Sequence, residues 1–93
     1  MKATINLIMY EIYTANNKTE KRLNEYIILR NDINQKIQRL KISPRIECDA
    51  HPLHGKLSGK WSCWLGSNIR MIYSINDLNK IIIVEAIGKH NIY

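Results

Sequence analysis

The stretch HPLHGKLSGKWS, residues 51 to 62, holds two of the chain's three histidines, two lysines and a tryptophan, and no acid. Further on lie Arg70, in IRMIYSI, and His90 and Tyr93, in the closing KHNIY. An imidazole titrates at about pH 6.5, so of two histidines one can accept a proton and the other donate one at neutral pH. Arginine and lysine stabilise phosphoryl charge, and tyrosine and tryptophan rings stack on unpaired bases. Two proton-transfer groups, a phosphate clamp and a stacking ring are what metal-free cleavage of RNA requires. The ribose 2′-oxygen attacks the adjacent phosphate, a base takes its proton, an acid protonates the departing 5′-oxygen, and cations steady the pentacovalent oxyanion.

Each residue also has an ordinary structural reading. His51 before Pro52, and His90 near the end, can be solvated loop residues. Arg70 can form a cross-strand pair with Glu85, Tyr93 can cover the core's edge, and Lys56 and Lys60 can keep a loop soluble. Metal binding is a rival of a different kind. CDAHPLH spaces Cys48, His51 and His54 by three residues, with Cys63 or His90 as a fourth ligand for tetrahedral zinc. Pro52 breaks a helical presentation of those ligands, and there is no CxxC or HExxH pattern. No acidic pair suits magnesium. The expectation is therefore no metal and no cofactor.

These residues need a scaffold, and 93 residues suffice for one small domain near the lower end of what a single core can stabilise. Apolar residues make up 45%, rich in isoleucine and leucine and without phenylalanine, which excludes a disordered chain. The net charge of +6 favours a polyanionic partner. Two cysteines make no disulfide scaffold, and no run reaches membrane-spanning length. MKATINLIMY lacks the apolar core and cleavage site of a signal peptide. The cytoplasm is the expected compartment. Met9 offers a second start, so residues 1–8 read as a dispensable extension.

Along the chain, Tyr10–Thr14 reads as a strand. Asn16 or Asn17 caps a helix whose Leu23, Tyr26 and Ile27 share a face. Ile33, Ile37 and Leu40 mark a second helix capped by Asn31 or Asp32, making a helical hairpin with one bent helix as the alternative. The pair ends before Pro44, which disfavours helix at Ser43. Residues 45–59 read as a loop. KWSCWLG is a strand with Trp61, Cys63 and Leu65 on one side; IRMIYSI is another with Ile69, Met71, Tyr73 and Ile75 on one side. NDLNK turns the chain into IIIVEAI, a central strand apolar on both faces apart from Glu85. The result is an α+β fold: an N-terminal strand, a helical hairpin, then a curved antiparallel three-strand meander, β-α-α-β-β-β, with the helices on one face.

Taken together, HPLHGKLSGKWS, NIRMIYSI and IIIVEAIGKHNIY resemble the RelE/ParE toxin superfamily of toxin–antitoxin systems, closest to its YoeB and YafQ branches. The LSGKWS segment, the R-x-x-Y of Arg70–Tyr73 and the ending IG-x-H-x-x-Y carry the resemblance, which spans Tyr10 to Tyr93 and makes residues 1–93 one RelE-like domain. It implies a ribosome-dependent mRNA endoribonuclease, an mRNA interferase, held silent by a cognate antitoxin protein, with mRNA and the ribosome as further partners and no membrane. Carried over by position, the catalytic set is His51, Arg70, His90 and Tyr93, and Lys56 and Lys60 fall where basic residues contact RNA; the expected RNA-binding set also takes in His54, Trp64 and Lys89. Cys63 and Trp64 stand where these toxins are often basic or carry a histidine, and Asn68 where one branch uses a catalytic aspartate. The alternatives are a ParE-like toxin that inhibits gyrase and a degenerate toxin fold that binds without cutting. The joint presence of His51, His90 and Tyr93 favours the nuclease.

Overall fold

The computed structural model describes residues 9–66 and 68–89. Strand β1, Glu11–Thr14, leads into helix α1, Asn17–Leu29, and helix α2, Asn31–Ile42. Two short 3-10 turns, Glu47–Asp49 and Gly55–Leu57, flank strand β2, His51–Pro52, and strands β3 (Trp61–Trp64), β4 (Ile69–Asn76) and β5 (Ile81–Lys89) complete the chain. The five strands form one sheet in the order β1-β5-β4-β3-β2, with β1 parallel to β5 and every other pair antiparallel. The helical hairpin, the meander and the central position of β5 are as the sequence predicts. Strand β2 is an addition: two residues of the expected loop pair with β3, and Pro52 is tolerated there because this is the sheet's edge.

The helices form where the sequence places them, with one change of cap. Asn16 stays extended and its Oδ1 accepts the Thr19 N–H at 2.9 Å, satisfying an orphan donor of the first turn. Between the helices the cap is Arg30, at φ −133° and ψ 99°, and not Asn31 or Asp32. One extended residue is all that separates the helices, so Asp32 falls inside the first turn. There its carboxylate takes Arg30 Nε at 2.9 Å and Nη2 at 2.6 Å. Helix α2 stops at Ile42 because Ser43, which precedes Pro44, leaves the helical region at φ −137° and ψ 77°.

Packing follows the two periodicities. Leu23 from α1 and Ile33, Ile37 and Leu40 from α2 meet Cys63, Leu65, Ile69, Met71, Tyr73, Ile82, Val84 and Ile87 from the sheet. Tyr73 is fully buried, and its hydroxyl donates to the Pro44 carbonyl at 2.7 Å. The tyrosine of the R-x-x-Y motif thus pins the segment that follows α2. A second tie lies just past the end of β4. Asp77 accepts from Tyr10 Oη at 2.6 Å and from both terminal nitrogens of Arg45 at 3.0 and 2.8 Å. Hydrogen bonding from Arg45, then from Tyr10, holds the Asp77 carboxyl down at about 2. Among the described residues no helix is long and apolar enough to cross a membrane.

Two outcomes test these ties. Tyr73→Phe strands a buried carbonyl, which costs about 1–3 kcal/mol; urea denaturation should show a lower midpoint with an unchanged slope. Asp77 has a folded pKa below its unfolded value of about 3.9, so its contribution is complete above that pH and is lost as pH falls toward 2. Stability measured from pH 6 to pH 2 should therefore fall less steeply in Asp77→Asn than in the parent chain.

Candidate functional site

The sheet face away from the helices is built in rows by strand register. His51 lies opposite Ser62, Ser62 opposite Ile72, and Ile72 opposite Ala86, so these four residues cross the sheet in one line. Two residues further along, Trp64 lies opposite Arg70, and Arg70 opposite Gly88. Strand spacings of about 4.8 Å across and 3.3 Å along put the Cα atoms of His51 and Arg70 roughly 12 Å apart. Both side chains rise from the same face, within reach of one dinucleotide step. Ser62 and Ile72 are buried between them, at 0% and 4% exposure, so the floor of the site is rigid.

His51 sits exposed on β2, with Nδ1 at 3.1 Å from the Asp49 carbonyl. A carbonyl only accepts, so this contact keeps a proton on Nδ1 and leaves Nε2 of the neutral ring as an acceptor. The backbone that aims it is unusual: Cys48 and Asp49 both adopt left-handed conformations, at φ 60° and 53°. Neither is glycine, and such a pair costs free energy that the surroundings must offset. Part of the offset is visible: Cys48 packs against the core and its thiol donates to the Lys36 carbonyl at 3.4 Å. Burial pushes that thiol's pKa up, so it is a poor thiolate ligand. Among the described residues no three His, Cys, Asp or Glu side chains converge as metal ligands would.

Arg70 lies over Trp64, its guanidinium carbon 4.2 Å from the ring centroid. Cation–π attraction holds the fork at a fixed height on the strand. One face of the Trp64 ring is thereby covered, so Trp64 supports the arginine in addition to any base it stacks on. The anticipated partner of Arg70, Glu85, takes a different cation. Its Oε1 accepts from Lys60 Nζ in a half-buried ion pair.

Three solved structures show what this arrangement is similar to. A YoeB/ParE toxin from Agrobacterium tumefaciens superposes with a TM-score of 0.70 at 16% identity, over 86% of this chain and 98% of that one. A RelBE-type toxin–antitoxin complex from Mycobacterium tuberculosis gives 0.68 at 19% identity, over 89% and 100%. The archaeal RelE–RelB complex from Pyrococcus horikoshii gives 0.66 at 21%, over 89% and 97%. The chain has the fold of the RelE/ParE toxin superfamily. No protein-family model matches it, and no curated protein matches it in sequence.

Within the RelE/ParE fold, the residues that depart from the family pattern have structural work. Cys63 is fully buried in the core, Trp64 carries Arg70, and Asn68 adopts φ 69° in the β3–β4 turn, a conformation asparagine tolerates well. His54 and Lys56 are exposed on the loop between β2 and β3. Lys89 pairs with Ile69, which places it on the helix side of the sheet's rim and away from Arg70. His90 and Tyr93 lie outside the described residues, as do residues 1–8.

Sequence reasoning missed two features around this face. One is the pairing of Lys60 with Glu85; a lone glutamate inside the apolar run IIIVEAI is the signal that a buried cation must meet it. The other is the left-handed pair Cys48–Asp49, which no residue type announces. The Trp64–Arg70 stack gives a direct test: Trp64→Leu should lose about 1 kcal/mol attributable to the cation–π contact beyond its packing loss. A double-mutant cycle with Arg70→Met, read by urea denaturation, isolates that coupling.

Proposed function

We propose that this chain is the toxin of a type II toxin–antitoxin pair and that it silences translation by cutting mRNA on the ribosome. The observation that carries the proposal is the single sheet face on which register gathers His51, Trp64 and Arg70. Support also comes from the fold: among its neighbours, the Mycobacterium and Pyrococcus proteins are toxins in complex with their antitoxins. In this reading His51 Nε2 removes the proton from the ribose 2′-hydroxyl. The 2′-oxygen attacks the adjacent phosphorus, the bond to the 5′-oxygen breaks, and a 2′,3′-cyclic phosphate remains. Arg70 grips the non-bridging oxygens as their charge grows, a role suited to a bidentate fork that never deprotonates. His90 supplies the proton to the departing 5′-oxygen and Tyr93 stacks on a neighbouring base. Lys56 adds the general attraction of a point charge for the RNA backbone, with His54 beside it on the loop. No step draws on a metal. A cognate antitoxin covers the basic face when the toxin is silent, and the pair works in the cytoplasm.

A gyrase-inhibiting toxin on the same fold would have no use for a protonated Nδ1 that frees Nε2 for base chemistry. Primer extension on mRNA after induction separates the two readings, since only the nuclease leaves new 5′ ends. Arg70→Ala should stay folded and lose roughly 100- to 1,000-fold in single-turnover cleavage, the usual cost of a well-placed transition-state donor. Lys56→Ala should lose far less and mainly in binding. A folded Arg70→Ala that cleaves at the parent rate removes Arg70 from the site.

A further inference from the structure

The ion pair between Lys60 and Glu85 joins the start of β3 to β5, two strands away. Glu85 occupies a β-bulge: Ile72 faces Ala86 and Tyr73 faces Val84, so Glu85 is the extra residue on β5. The bulge lets Val84 and Ile87, three positions apart, both enter the core while Glu85 and Ala86 share the opposite face. It also turns the Glu85 carbonyl to the helix side, where it accepts from Thr19 Oγ1 at 3.2 Å. The glutamate is therefore fixed at both its backbone and its side chain. Its carboxylate is only 26% exposed and Lys60 32%, and Oε2 is buried with no hydrogen-bond partner. An arrangement that strands a carboxylate oxygen costs free energy, so the pair is a poor choice for stability alone.

Lys60 in turn closes the loop that follows the strand carrying the site's base. Its carbonyl accepts from Leu53 N–H at 2.9 Å, and its N–H donates to the Leu57 carbonyl at 3.0 Å. Those bonds define the start of β3 and the return of the loop next to β2. Strand β2 has two residues, and its short pairing with β3 is what joins His51 to the sheet. Resting on the nuclease reading given above, we infer that Glu85 is a positioning residue: through Lys60 it clamps the 53–60 loop to the central strand and so sets the place of His51 over the scissile step. Lys60 is a structural cation in this account, and its charge is spent on Glu85 and not on RNA.

The test uses the full chain with four forms: the parent, Glu85→Gln, Lys60→Met, and the exchanged pair Lys60→Glu with Glu85→Lys. Single-turnover cleavage on programmed ribosomes and binding of a single-stranded RNA are measured for each. A displaced base lowers the rate about 10- to 100-fold, the scale on which misplacement acts. Both single variants should lose rate by that factor, with RNA bound no more weakly by Glu85→Gln, which gains a net positive charge. The exchanged pair rebuilds the clamp with its charges reversed and should recover most of the rate. If Glu85→Gln cleaves at the parent rate and the exchanged pair is as slow as Lys60→Met, then Lys60 acts on RNA directly and the inference is overturned. Amide exchange at Leu53 reads the clamp without any cleavage: protection should drop in both single variants and return in the exchanged pair. Equal protection in all four forms also overturns it. A parent chain that cuts no RNA, with Leu53 protection behaving as stated, sinks the nuclease reading and leaves the clamp standing.

Discussion

The bulge at Glu85 is the constraint from which the rest of the molecule follows. A strand flanked on both sides needs apolar residues on the helix face, and strict alternation would bring Val84 and Ala86 there. The extra residue substitutes Ile87 for Ala86, so a large side chain fills the core against α1 and α2. The same irregularity sends the Glu85 carbonyl to Thr19 and its carboxylate to Lys60. One backbone defect thus docks the first helix, completes the core and fixes a charge on the open face.

Much of the scaffold was legible in the sequence because it depends on periodic burial. Ile33, Ile37 and Leu40 repeat at helical spacing and are all buried; Ile69, Met71 and Tyr73 alternate and are buried too. Pro44 announces where α2 stops through a steric rule that needs no tertiary context. What was not legible depends on meetings between distant residues. The cap between the helices fell to Arg30 because a single extended residue joins them, which no capping preference foretells. The pairing of β2 with β3 involves too few residues to leave a pattern, and Pro52 argues against a strand until the position is known to be an edge.

The site was legible in kind and incomplete in arrangement. Register places His51 and Arg70 on one face, two strands apart. The lysines looked equivalent in sequence, yet Lys60 is engaged by a glutamate 25 positions away and Lys56 is exposed. Trp64 looked like a surface for bases, and its ring is first of all a plate for Arg70. In each case the residue type was informative about chemistry and silent about partner, because partners are set by the register of strands that meet only after folding.

Strand β2 has a consequence for how the protein behaves in a crowded cell. A sheet edge is a template on which a second copy can add its own strand, and long flat edges seed self-association. Here the edge beyond β3 offers two residues, one of them a proline with no N–H to give. A chain with a net charge of +6 already repels its copies, and this blunt edge gives an approaching strand almost no ladder to extend. The brevity that leaves His51 in need of a clamp also blunts this edge of the sheet against templating aggregation.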